Sequence, residues 1–292
     1  MKRLAYLFFV GLLSCYTPEK SEKQEGSTTD GEGREVSFRQ PVKRTMGLAP
    51  SMTEILFFSC PQHDHIVART QNCDYPPEAE SLPVVNNYPR LDVEAIAHLK
   101  PEVIFSHKGI TSVADAEHMK KLNVSTYIAH YEKIDDVLEG IKSIGAWCGC
   151  GTYAEQKADS LKKVIGDIAP LKEKKNVLGL VSVDPLYAFG RKTLFSQYLE
   201  HLGLKNMITK EVQQAYPQLG REYIIRQNPD VIFITGDALK KKEMLQLYPE
   251  FERVNAFKNN RIYYLSGDLQ SRPGPRLAES ILEIKNKIDV KE

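Results

Sequence analysis

The sequence predicts an α/β protein made of two similar lobes with parallel sheets, joined by a single long helix. Three observations lead there. Strand-like and helix-like segments alternate from residue 43 onward, a stretch of the first half returns in the second half at a constant offset, and a capped amphipathic segment lies between the copies. Strands that alternate with helices pair in parallel through crossover helices.

The alternation begins with residues 44–49, a short strand stopped by Pro50. Ser51-Met52-Thr53-Glu54 then opens a helix, with Ser51 as N-cap and Glu54 as its capping-box partner three residues on. Val103-Ile104-Phe105, introduced by Pro101, is a buried-strand run, and residues 125–129 form another.

The repeat is the sharper signal. Residues 88–105 and 216–233 align at an offset of 128, and nine of the eighteen positions are identical: Tyr, Pro, Leu, Glu, Ile, Pro, Val, Ile and Phe. Ordinary residue frequencies supply roughly one such match by chance. So long a period excludes a solenoid and implies two copies of a domain-sized unit. Tyr88 and Tyr216 then occupy equivalent turns, Glu94 and Glu222 equivalent helices. Equivalent loops of two facing units meet in one cleft, and clefts between domains are favoured ligand sites.

Between the copies, Thr152-Tyr153-Ala154-Glu155 has the form of a capping box, and Ala154, Ala158, Leu161, Ile165 and Ile168 fall near helical spacing before Pro170. The expected lobes therefore cover residues 42–150 and 175–292, with the connecting helix over 151–174.

The amino terminus reads as a targeting segment. Lys2 and Arg3 precede an apolar run over residues 4–13, too short to span a bilayer and suited to a signal-peptide core. It ends in Leu12-Leu13-Ser14-Cys15, which resembles the bacterial lipobox. This implies a lipoprotein signal peptide over residues 1–14, lipidation of Cys15, and an exported body anchored to a bacterial membrane. Residues 15–41 are polar and poor in large apolar groups, and are expected to be a flexible tether.

The 39 basic residues nearly balance the 38 acidic ones, for a net charge of +1, so nucleic-acid binding is not expected. No G-x-S-x-G, Walker A loop, G-x-G-x-x-G or H-E-x-x-H is present, so catalytic residues and a resident cofactor are not expected either. His63-Asp64-His65 reads as a solvated loop, and Cys148-Gly149-Cys150 lacks the second ligand pair of a zinc site, so no metal is expected. A periplasmic enzyme or metal-binding protein using these residues is the rival class. Cys60, Cys73, Cys148 and Cys150 allow three complete disulfide pairings, and all stay open.

Over residues 42–288 the chain resembles the substrate-binding proteins of ABC importers for cobalamin, iron-siderophores and haem. Gly47-Leu48-Ala49-Pro50-Ser51-Met52-Thr53-Glu54 resembles that family's opening strand, turn and helix. Cys73-Asp74-Tyr75-Pro76-Pro77 resembles a stretch of its cobalamin branch. Leu99-Lys100-Pro101-Glu102 and Gln227-Asn228-Pro229-Asp230 resemble its two turns, and the segment from Ser266 to Arg276 its late D-x-x-x-R and P-R elements. The resemblance implies two Rossmann-like lobes on a helical backbone and a monomer that takes a small molecule to a permease with its ATPase. The implied ligand is cobalamin, with haem or a ferric siderophore as the alternative. It further implies ligand contacts from Tyr88, His107, Tyr187, Tyr216, Asp268 and Arg272, and permease docking through Glu94 and Glu222. Arg276 reads as a local packing or capping residue, and Trp147 lies outside the cleft pattern.

Overall fold

In the computed structural model, which describes residues 24–235 and 241–289, a short antiparallel hairpin precedes two α/β lobes. The hairpin is β1 (Gln24–Thr29) and β2 (Glu35–Gln40). The N-terminal lobe runs β3 (Thr45–Gly47), α1 (Pro50–Ser59), β4 (Ile66–Thr70), β5 (Val84–Val85), α2 (Val93–Leu99), β6 (Val103–His107), α3 (Val113–Lys121), β7 (Ser125–Ala129) and α4 (Ile134–Trp147). The connector is α5 (Gly151–Gly166). The C-terminal lobe begins β8 (Asn176–Val183), β9 (Leu186–Ala188), α6 (Leu194–His201), β10 (Lys205–Asn206), α7 (Arg221–Gln227) and β11 (Val231–Thr235). It ends with α8 (Lys241–Leu247), α9 (Asn255–Lys258), β12 (Ile262–Leu265), α10 (Gly267–Ser271) and α11 (Leu277–Asp289).

Each lobe holds one parallel sheet. The first is ordered β5-β4-β3-β6-β7 and the second β10-β8-β11-β12, with β9 antiparallel against β8. The repeat is visible in the backbone: α2 with α7, and β6 with β11, have identical lengths at an offset of 128 residues. The shared apolar residues have a common task, since Ile96, Ile224, Phe105 and Phe233 are all fully buried. By sheet position, β3, β4, β6 and β7 correspond to β8, β10, β11 and β12.

The connector buries Ala154, Ala158, Leu161 and Ile165, the stripe expected from spacing. It ends at Gly166 rather than near residue 174, and it starts one residue before the expected Thr152 cap. Its N-cap position belongs to Cys150, which is disulfide-bonded to Cys60 at the end of α1. Closing that 90-residue loop removes unfolded-state entropy worth about 2–5 kcal/mol. An apolar core runs continuously from α1 and α4 through α5 into α6 and α11, so the connector packs on both lobes.

Residues 24–40, expected as part of the tether, are folded onto the N-terminal lobe. Val36, Phe38 and Val42 are buried, and Phe38 packs edge-on to Trp147 and Phe105 at centroid distances of 5.4 and 6.5 Å. Polar residues hide the anchors Val36 and Phe38 here, and Ser125 Oγ donates to the Ser37 carbonyl to fix the hairpin beside β7. The signal peptide and Cys15 lie outside the described residues. In α1 the expected cap is also replaced. The N-cap is Ala49, Ser51 Oγ is buried without a partner among the described residues, and Glu54 is engaged elsewhere.

Candidate functional site

The carboxyl ends of the strands in both sheets face one groove between the lobes, the expected ligand position for open α/β sheets. The groove has two chambers that share Ser271 as a lining residue. The first, about 550 Å³, is lined by the loops after β6 and β7 of one lobe and those after β9, β10 and β12 of the other. The second, about 630 Å³, is lined by the loops after β3 and β4 facing the segment after β12. The loops after β6 and β7 face counterparts of β3 and β4, and the loops after β3 and β4 face a counterpart of β7. This is the cross-pairing that a two-fold exchange of the lobes produces.

The first chamber is aromatic on its C-terminal-lobe side. Phe195 stacks on Phe189 at 4.6 Å, and Phe189 meets Tyr216 at 6.0 Å. Gly190 makes this wall possible: a Cβ there would fall 2.3 Å from the Gln214 carbonyl, and the Gly190 amide donates to the Ala215 carbonyl at 2.7 Å. Tyr216 is 52% exposed toward the groove, and the protein around its hydroxyl raises its pKa by desolvation. The opposite wall carries His107 and His130. Burial lowers the His107 pKa, against a smaller opposing effect of its bond to Lys108, so the ring is neutral at pH 7. With Nδ1–H donating to the Lys108 carbonyl at 3.0 Å, the Nε2 lone pair is left free. His130 Nε2 lies 3.2 Å from Glu132 Oε1. Lys108, paired with Glu32 at 3.4 Å, and Lys192 complete the rim. The chamber thus offers a π-surface, a neutral imidazole and flanking ammonium groups, a set that stacks flat rings and holds polar edges.

The second chamber is charged. Arg272 Nη1 contacts Asp74 Oδ1, Arg272 Nη2 lies 2.7 Å from Asp268 Oδ1, and Arg272 Nη1 is 3.5 Å from Glu54 Oε1. Arg276 grips Glu54 with both arms, Nε to Oε2 at 2.9 Å and Nη2 to Oε1 at 2.7 Å, and lies over the Tyr75 ring at 4.4 Å. Arg276 therefore acts across the lobes, not locally.

Of the residues expected in the cleft, the structure brings His107 and Tyr216 together in the first chamber. Asp268 and Arg272 lie in the second and face each other and the N-terminal lobe. Tyr88 is 80% exposed and lines neither chamber, and Tyr187 sits on β9, where it bridges Gln218. Glu94 and Glu222 are exposed in the first turns of α2 and α7. His63, in the supposed solvated loop, closes the end of α1, with Nε2 3.1 Å from the carbonyls of Phe57 and Cys60. Sequence reasoning missed His130, Glu132, Phe189 and Lys192. All but Lys192 follow a strand by one to three residues, and scanning each strand's exit loop would have found them.

With two lobes, a helical connector and a groove at the strand ends in place, the decisive comparison is the family model for periplasmic binding proteins, which matches residues 48–269. The chain belongs to the periplasmic binding protein family. Among periplasmic binding proteins and their relatives it is 29% identical over 280 residues to YvrC of Bacillus subtilis, an ABC transporter substrate-binding lipoprotein, covering 92% of this chain and 87% of that one. It is 25% identical over 251 residues to a vitamin B12-binding protein of Vibrio parahaemolyticus, covering 84% and 89%. Among solved structures, a possible iron-binding periplasmic solute-binding protein of Staphylococcus epidermidis aligns with a TM-score of 0.75 at 29% identity, covering 85% of this chain and 99% of that one.

Proposed function

We propose that this chain is the substrate-binding lipoprotein of an ABC importer, and that it captures cobalamin or a related corrinoid in the first chamber and delivers it to the permease. The observation that carries this reading is the pairing of an aromatic wall, Phe189 with Tyr216, and a neutral imidazole, His107, across an interlobe chamber of about 550 Å³. A corrin ring stacks on such a wall while its amides meet phenol and imidazole. The relatives named for substrate binding and vitamin B12 binding support the same reading. Capture and release fit the site better than catalysis.

Haem is the second reading. His107 and Tyr216 are also side chains that ligate haem iron, and Lys108 and Lys192 suit its carboxylates. Delivery would use Glu94 and Glu222, exposed on equivalent helices, as docking points for basic groups of the permease; such rim pairs orient and speed encounter. Cys15 would carry the lipid that holds the body at the membrane, and the partner ATPase would supply the energy.

Titration of the purified body with cyanocobalamin, haemin and a ferric siderophore, followed by calorimetry and absorbance, tests the ligand. Submicromolar cyanocobalamin binding that weakens at least tenfold in Tyr216→Ala is expected. A Soret shift with haemin and no cyanocobalamin binding would move the assignment to haem.

A further inference from the structure

Glu54 is 1% exposed, on a helix of the N-terminal lobe, yet both arginines that neutralise it belong to the C-terminal lobe. A buried carboxylate without a cation is strongly destabilising, because its charge is cut off from water with nothing to compensate it. The charge of Glu54 is therefore tolerated in its present surroundings only while the lobes stand at their present separation. The C-terminal lobe meets this need with a stiff segment, Arg272-Pro273-Gly274-Pro275-Arg276. Two prolines limit its backbone freedom, and Gly274 lets it lie against α1, since a Cβ there would fall 3.2 Å from Glu54 Oε2. A second, more exposed tie runs parallel, from Arg272 to Asp74 and to the carbonyl of Asn72.

We propose that Glu54, Asp74, Arg272 and Arg276 form an interlobe clasp that sets the separation of the groove's walls, acting as positioning residues for ligand capture rather than as ligand contacts. The clasp stands at the β3–β4 flank of the groove, while the aromatic chamber lies at the β6–β7 flank. Any movement of the lobes that keeps the clasp closed would therefore widen the aromatic flank more than the clasped one. The geometry also explains the full coordination of Arg272. Its guanidinium meets three carboxylates and one carbonyl, so few donor positions remain for a ligand.

The effect on capture rests on the binding function proposed above, whereas the effect on lobe separation does not, and one experiment reads both. Cys148 and Cys73 are free thiols, and Cys73 is fully buried, so spin labels on cysteines placed at exposed Lys121 and Lys258 in a Cys148→Ser background report the lobe–lobe distance of the ligand-free protein by double electron–electron resonance. Glu54→Gln, Arg276→Lys and the double variant Asp74→Asn with Arg272→Gln are expected to broaden and lengthen the distance distribution. Arg276→Lys, which keeps the charge and loses the two-armed grip, should give the smallest change. The dissociation rate of whichever probe the parent binds, cyanocobalamin or haemin, should rise about tenfold in the double variant with little change in association. Should Glu54→Gln fail to fold, the other two variants decide. Distance distributions in those two that match the parent overturn the clasp. Failure of both probes to bind the parent overturns the ligand assignment and leaves the distance result to judge the clasp alone.

Discussion

Lys100 and Asn228, 128 residues apart, end equivalent helices in the same left-handed backbone conformation, at φ 50°, ψ 55° and φ 46°, ψ 64°. Each is followed by a proline and then the strand that anchors its sheet. The two positions differ in how they sustain that conformation. A lysine in the left-handed region carries a steric cost of about 1 kcal/mol, which glycine relieves. Asparagine tolerates the region better, and Asn228 Oδ1 also accepts a hydrogen bond from the Asn255 amide at 2.8 Å. Lys100→Gly should therefore raise unfolding stability by roughly 0.5–1 kcal/mol, while Asn228→Gly should lower it. Urea denaturation midpoints at constant m distinguish the two signs.

The hairpin makes Trp147 a reporter of its own attachment. The indole stacks on Phe105 at 6.0 Å and is covered by Phe38 at 5.4 Å. Phe38→Ala should cost about 3–5 kcal/mol, the range for a buried Phe truncation. As Trp147 is the only tryptophan, its emission should shift to the red in the folded variant. An unshifted spectrum with parental stability would show that the hairpin does not cover the lobe in solution.

Tyr88 and Tyr216 are equivalent in sequence and unequal in surroundings. Tyr216 faces the aromatic chamber beside Phe189, whereas Tyr88 is mostly exposed and outside it. Tyr216→Ala should therefore weaken binding of the bound probe by tenfold or more, and Tyr88→Ala by less than twofold. Equal losses in the two variants would show that the ligand reaches beyond the aromatic chamber to Tyr88.

His107 provides the pH dependence. Its folded pKa lies below the ordinary 6.5 because burial disfavours the imidazolium. The sign follows from linkage: the neutral-ring contribution to stability is complete above about pH 6.5 and is lost as the pH falls through the lower folded value. Proton NMR of the His107 ring should show a midpoint below 6.5 in the ligand-free protein. A midpoint above 7 would remove the free lone pair at neutral pH from the binding scheme.

The duplication was legible because it is carried by residues with one solution each. Ile96 and Ile224 fill their cores, Phe105 and Phe233 theirs, and identical packing demands preserved identical letters. The connector was legible through its alanine and leucine stripe. Other features left weaker traces. The hairpin is held by two apolar side chains, Val36 and Phe38, in an otherwise polar segment, so composition pointed to a tether. Glu54 resembled a local capping residue, because its true partner lies 222 positions away and no local pattern encodes that distance. Tyr88 was grouped with Tyr216 because a repeat reveals equivalence and not proximity. When the lobes cross-pair, equivalent loops lie at opposite flanks of the groove.

That crossing has one more consequence. Two identical units placed in this way would present two identical mouths, one at each end of their shared seam. Here arginines, acids and a rigid Pro-Gly-Pro stretch tie the two sides of one mouth together, and aromatic rings line the other. Divergence between the copies has thus given a symmetric seam two unlike mouths, one charged and one aromatic.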